Sequence, residues 1–369
     1  MRIFKRMIKS LCFFVVFCVV CGIFSFLLEP DGGASDTMWE EYYSEEEIDT
    51  IFVGASVCSA GFNPVVFNEE MGVQSFNMAT PSQGIEQTIL AVKTAISEHK
   101  LDRVIFGMGF FNFQTESVEE AKLTFINARN RKMGLEKGVI ESVRYIFSEG
   151  TIDAESSINF LVPWTYNHVQ MSWENIVNNV RAKLTRQEIV FDAESNERRN
   201  WRLYKGYRPF TGCFEADGIW RYNSYYIYNQ QFYDSSLVYL EELIQVCREQ
   251  GVELIVINVP HPAYDVITRF DCYEENEQII RALCEKNGID YYNFNLAKPE
   301  IYDAKNEYYY DFEHLNYKGS CVFTEAVCDL LRKRDAGEEM DGYFYSMEKF
   351  LEENSALLEQ WKQIREPVW

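Results

Sequence analysis

Short apolar runs and helical periodicities alternate along most of the chain. IDTIFVGAS is a brief apolar run that ends in glycine and small residues, the pattern of a buried strand entering a loop. GVQSFNMA reads as a second strand. SQGIEQTILAVKTAISEHK then repeats apolar residues at helical spacing through Ile85, Ile89, Val92 and Ile96, with Ser82 as the expected N-cap. LDRVIFGMGFF is a third strand. The rhythm resumes with DSSLVYLEELIQVCREQG, an amphipathic helix closed by Gly251, and the apolar strand VELIVINVP. YEENEQIIRALCEKNG is a helix closed by Gly288, IDYYNFN a strand, and KGSCVFTEAVCDLLRKR the closing helix. Strands alternating with helices predict an α/β three-layer sandwich around a central parallel sheet.

Two stretches depart from this rhythm. Residues from about 114 to 233 hold Trp164, Trp173, Trp201, Trp220 and many tyrosines, and read as an insertion or cap within the domain. The tail, 336–369, contains MEKFLEENSALLEQWKQI, which predicts a further amphipathic helix. The domain proper would then run over 47–335.

The N-terminus has its own pattern. Residues 1–10 carry Arg2, Lys5, Arg6 and Lys9, and 11–28 form an uncharged apolar run long enough to span a hydrocarbon core. No small-x-small cleavage site closes the run, so an uncleaved transmembrane anchor is expected rather than a signal peptide. The flanking cations would stay in the cytoplasm, leaving the rest of the chain extracytoplasmic on a single-pass cell-membrane protein. Residues 29–46, acidic with glycine and proline, read as a stalk.

Composition narrows the chemistry. A formal net charge of -22 argues against nucleic acid as a partner, since phosphates need a basic face. Of the ten cysteines, Cys18 and Cys21 form a C-x-x-C inside the apolar run and the rest are scattered without a Cys/His cluster, so neither a metal site nor a cofactor is expected. The aromatic share of 15% fits a large core, and equally an aromatic cleft for sugars or acyl chains.

In an open parallel sheet, ligands sit beyond the carboxyl ends of the strands. Three polar signals lie at such positions: Gly54-Ala55-Ser56 after the first strand, Asn77 to Gly84 after the second and Asn112 after the third; a fourth, DFEHLN, lies near the C-terminus before the last helix. Serine is a weak nucleophile until a base takes its proton, and the base needs an orienting carboxylate. Of the four histidines, His99, His168, His261 and His314, only His314 has an acidic partner, Asp311, three residues away before a final helix. His261, in VPHPAY, is placed to line the cleft or cap a turn. Read without catalysis, Ser56 is a small residue in a tight turn, Asp311 a cap, and Asn77 and Asn112 turn residues.

Gly54-x-Ser56 after an early strand, combined with Asp311-x-x-His314-x-Asn316 near the end, resembles the SGNH (GDSL-like) hydrolase superfamily. GASVCSAGFNP is similar to membrane-anchored bacterial members linked to cell-envelope polymer modification, relatives of the D-alanyl transfer protein and of alginate acetylation proteins. The resemblance covers about 48–113 and 236–335. It implies Ser56 as nucleophile, His314 as base and Asp311 as its orienting acid. It also implies an oxyanion hole from Ser56, Ala79 or Gly84, and Asn112, where the usual GxND reads Gly109-Phe110-Phe111-Asn112. Ala55 replaces the Asp of a GDSL motif. Asn77, His261 and Asn316 are the expected cleft residues. The implied function is a serine esterase or O-acyltransferase acting on an acylated glycan or cell-wall polymer through an acyl-serine, with a polytopic membrane O-acyltransferase as an expected partner. The contrasting expectation is a catalytically inactive SGNH-like glycan-binding or scaffolding protein that partners such an acyltransferase.

Overall fold

The computed structural model describes residues 2–30, 32–115, 118–148, 160, 162–185, 204–213 and 231–365. The chain forms two compact units: Met1–Trp39 with Glu119–Glu188, and Glu40–Val118 with Ile189–Trp369.

The larger unit is built on a five-stranded parallel sheet, β1 (Thr50–Gly54), β2 (Ser75–Asn77), β3 (Arg103–Met108), β4 (Glu253–Asn258) and β5 (Asp290–Asn293), in the order 2-1-3-4-5. These strands are short, continuous apolar runs because helices cover both faces, so alternation would gain nothing. Every residue of β1 is buried, and β3 and β4 are buried after their first residue. The α/β layered architecture predicted by the sequence pattern is the one observed.

The helices are numbered in chain order. α1 (Arg2–Leu28) and α2 (Ala34–Tyr42) precede the sheet. α3 (Ser56–Gly61) and α4 (Pro64–Met71) follow β1, α5 (Ile85–Glu98) follows β2, and α6 (Phe111–Gln114) follows β3. The smaller unit contributes α7 (Glu119–Lys132), α8 (Leu135–Ser148) and α9 (Trp173–Thr185). α10 (Asp234–Gln250) returns to β4; α11 (Ala263–Thr268) and α12 (Phe270–Asn287) lead to β5. α13 (Tyr317–Asp335), α14 (Met347–Glu353) and α15 (Ser355–Arg365) complete the described chain.

Local chemistry sets the boundaries. Gly72, Gly251 and Gly288 end α4, α10 and α12 in the left-handed conformation. α5 starts after Gly84 and not after Ser82, which sits at φ 56° in the preceding turn. The single helix expected in the tail is two, broken at Asn354. The expected stalk is partly helical: α2 buries Trp39 and Tyr42 completely, so this stretch packs instead of acting as a free spacer.

One aromatic cluster holds the start of the site rigid. Phe62, just past α3, stacks on Phe52 of β1 with ring centroids 4.7 Å apart and meets Phe323 of α13 at 5.0 Å. All three are fully buried, each contributing about 1.5–3 kcal/mol of hydrophobic stabilisation. They clamp α3 between β1 and α13.

In the smaller unit, α1 contains the one helix segment among the described residues long and apolar enough to cross a membrane, Phe4–Leu28. Its last carbonyls, which a helix end leaves without intrahelical partners, are met by side chains of α9. Asn179 Nδ2 donates to Leu27 O (3.0 Å) and Glu29 O (2.8 Å), and Lys183 Nζ to Phe26 O (2.7 Å). Trp164 packs on Phe24 at 5.2 Å between ring centroids.

Candidate active site

The order 2-1-3-4-5 places the topological switch point between β1 and β3, and a crevice beyond the carboxyl ends of those two strands is the default ligand site of such sheets. Ser56 lies two residues beyond β1 as the first residue of α3. Gly109 and Asn112 lie just beyond β3, and His261 beyond β4.

The turn into Ser56 depends on glycine. Gly54 has φ +149°, and a Cβ there would stand 2.1 Å from the carbonyl oxygen of Gly107 on β3. Gly107 in turn lies against Cys58, where an added Cβ would come within 2.8 Å of the sulfur. The two strand ends and the first turn of α3 therefore pack backbone to side chain without a gap.

Asp311 and His314 form a closed pair. Nδ1 of His314 lies 2.8 Å from Oδ2 and 3.0 Å from Oδ1 of Asp311, and Oδ1 also accepts the backbone N–H groups of Glu313 (2.8 Å) and His314 (2.7 Å). Burial opposes ionisation of Asp311, but the hydrogen bond and charge of His314, with the two N–H groups, outweigh it and hold the carboxyl below its ordinary range. An ionised carboxylate only accepts, so in the neutral form of the ring Nδ1 carries the hydrogen and the lone pair is on Nε2. Nε2 is buried and has no hydrogen-bond partner among the described residues. In particular, Ser56 Oγ does not bond to it: the structure brings Asp311 and His314 together but does not close the third link.

The other expected residues divide sharply. Asn112 is buried, and its Oδ1 accepts the Gly109 N–H at 2.9 Å, which fixes the amide and leaves Nδ2 as the outward donor. Asn77, expected in the cleft, is instead a brace: Nδ2 donates to Cys58 O (3.0 Å) and Phe62 O (2.9 Å), while Oδ1 accepts the Ala79 N–H (3.0 Å). The same bond corrects the expectation for Ala79, whose N–H is taken and cannot serve an oxyanion. Gly84 caps α5, its carbonyl accepting from Thr88. Asn316 is also structural and not a cleft residue. It caps α13 through Gly319 N–H and donates to Gly212 O and Glu307 O.

His261 belongs to a buried cluster of charged and titratable side chains. Its Nδ1 is 3.9 Å from Asp265, which holds Arg269 at 2.6 Å, and Arg269 is 3.9 Å from Glu313. A Cβ at Gly109 would lie 3.4 Å from the His261 ring. Desolvation first, then the charges of Arg269 and His314, pushes His261 down to about 3, so it stays neutral; burial pushes Asp265 up to about 6 despite Arg269. The signal was present as His261, Asp265 and Arg269 at four-residue intervals. Their adjacency to Glu313, inside DFEHLN, is a tertiary fact.

The insertion also reaches the site. Phe210 packs against the His314 ring at 5.3 Å and stacks on Tyr310 at 4.8 Å, and the Arg208 N–H donates to Ser59 O in α3. Tyr207 OH bonds Ser320 Oγ in α13 at 2.5 Å. Of the tryptophans, Trp164 packs on α1 and Trp173 is exposed; Trp201 and Trp220 lie outside the described residues.

No family model matches the sequence, and no curated protein is detectably similar to it. Solved structures with a similar course of chain include a GDSL-like lipase from Bacteroides thetaiotaomicron (10% identity, 80% of this chain and 95% of that one, TM-score 0.37). A protein provisionally described as an acylhydrolase, from Bacteroides fragilis, matches at 9% identity over 80% and 95% of the two chains, with a TM-score of 0.36. A Streptococcus protein provisionally described as a platelet activating factor matches at 9% over 80% and 91%, with a TM-score of 0.35.

Proposed function

We propose that the protein is a membrane-anchored serine esterase or O-acyltransferase of the SGNH type, with its larger unit outside the cell membrane and an acylated envelope glycan or polymer as substrate. The observation that carries this reading is the Asp311–His314 pair with a buried, unpartnered Nε2, at the same end of the sheet as Ser56. In the proposed reaction Ser56 Oγ transfers its proton to His314 Nε2 and attacks the ester carbonyl. The tetrahedral oxyanion is met by the Ser56 N–H and Asn112 Nδ2. Collapse breaks the ester C–O bond, and the leaving alkoxide takes the proton back from His314. Water, or a hydroxyl of an acceptor glycan, then repeats the sequence on the acyl-serine. Hydrolase and transferase differ only in which acceptor reaches that intermediate. A polytopic O-acyltransferase is the partner that would supply or receive the acyl group.

The missing Ser56–His314 bond favours a second reading, a non-catalytic glycan-binding or scaffolding module, although catalytic hydrogen bonds often tighten only once substrate is bound. A fluorophosphonate serine probe separates the two. The esterase reading expects labelling of the wild type and none of Ser56→Ala. Equal labelling of both rejects Ser56, and no labelling of either supports the module.

A further inference from the structure

We infer that α8 lies flat in the outer face of the membrane that α1 enters, with Leu135, Val139, Ile140, Val143 and Phe147 in the lipid; this rests on the anchored reading above. α8 is built inside out. Its inward face is Gly138, Glu141, Ser142 and Tyr145, while the five apolar side chains are exposed, Leu135 by 86% and Phe147 by 81%. The four at 135, 139, 143 and 147 recur every fourth residue and form one stripe on a helix.

The rotation is fixed and not incidental. A Cβ at Gly138 would stand 1.9 Å from Asn130 O on α7, so only glycine permits the close approach of the two helices. On the same face Asn130 Nδ2 donates to Ser142 Oγ (3.1 Å), and Arg129 lies 3.6 Å from Glu141. These polar contacts turn the apolar stripe outward.

The position of α8 within its unit says what meets that stripe. α7 is clamped to the exit of α1: Arg131 bonds Glu29 (2.7 Å) and Asp36 (2.8 Å), and α8 begins after the short turn that follows α7. The stripe therefore belongs to a compact unit gripped at the point where the apolar span ends. With 14 residues, α8 is about 21 Å long, too short to cross a core of about 30 Å but suited to lie along its surface. Lys137 and Arg144 flank the apolar arc on one edge, where cations face the headgroups and not the acyl chains. A bilayer is the one apolar surface that α1 itself brings to this place.

The test uses the full chain in vesicles of equimolar phosphatidylcholine and phosphatidylglycerol. The photoreactive residue p-benzoylphenylalanine is placed, one site at a time, at Val143, Phe147, Arg144 and, within the span, Val16. Irradiation followed by mass spectrometry should find phospholipid adducts at 143, 147 and 16, severalfold above those at 144. Lipid adducts at 16 but none at 143 and 147 overturn the inference while leaving the anchor intact. Adducts between two copies of the chain at 143 overturn it in favour of self-association. Absence of lipid adducts at 16 removes the anchor and the inference together.

Discussion

Asp311 Oδ2 stands 2.8 Å from His314 Nδ1, and the same carboxylate is pinned by two backbone N–H groups of its own loop. The imidazole therefore has a fixed tautomer before any substrate arrives. Asp311→Asn keeps the shape but offers a donor as readily as an acceptor, so the wrong tautomer becomes populated. Esterase activity on an aryl acetate should fall about 10⁴-fold. Ser56→Ala and His314→Ala should each fall by about 10⁶-fold, and the double variant no further, because the residues act as a unit. Multiplicative losses in the double variant would contradict that unit.

Asn112 carries two duties that substitution can separate. Asn112→Ala removes the oxyanion donor and also the acceptor of the Gly109 N–H. It should cost about 10²–10³ in kcat and about 1–3 kcal/mol of stability. Asn112→Asp retains an acceptor for Gly109 but turns a negative charge toward the oxyanion. Its stability should lie nearer wild type while its activity is no better than that of the alanine variant. Kinetics and urea denaturation on both variants decide the matter, and an active Asn112→Asp would exclude the donor role.

The sheet and its order of elements were legible because burial on both faces writes each strand as a short apolar run, and because Gly251 and Gly288 mark where helices stop. The Asp311–His314 pair was legible because its members are three residues apart in one loop. For Asn77 and Asn316 the sequence leaves the role open for a common reason. A buried amide that braces loop carbonyls has the same spelling as one that faces a ligand, and only the bonds to Cys58, Phe62, Gly212 and Glu307 distinguish them. Phe210 was out of reach altogether, since it comes from an insertion with no periodic pattern and meets His314 only through the fold.

His261 makes stability depend on pH. Its folded-state value, about 3, lies below the ordinary 6.5, chiefly because burial penalises the charged form. As pH falls through 6.5 the unfolded chain takes a proton that the folded chain refuses, so stability present above pH 6.5 is lost progressively toward pH 3. Asp265 acts in the opposite sense. Its folded value, about 6, exceeds the ordinary 3.8, so the folded chain gains stability as pH falls from 6 toward 3.8. Comparing variants isolates the histidine. The urea midpoint of His261→Gln should fall less than that of wild type between pH 7 and pH 5. Parallel curves would mean that His261 is charged or solvated in the fold.

Asn77 should prove to be a residue of stability and not of turnover. It is completely buried, and two of its three hydrogen bonds tie β2 to α3, the helix that starts at Ser56, at Cys58 and at Phe62 just past its end. Asn77→Ala strands the carbonyl of Phe62 and the N–H of Ala79, at about 1–3 kcal/mol for each group that finds no water, while Cys58 O keeps the Phe62 N–H. Asn77→Asp keeps the acceptor for Ala79 but points an uncompensated buried charge at two carbonyls, and should cost about 3–5 kcal/mol. Both variants should lower the urea midpoint, the aspartate more. The molecules that remain folded should still react with a fluorophosphonate at close to the wild-type rate, since Nδ2 faces loop carbonyls and not the ligand. The decisive measurement is labelling rate per folded molecule, with folding monitored by circular dichroism on the same sample. A rate down by about 10² at an unchanged urea midpoint would return Asn77 to the cleft as a residue of turnover.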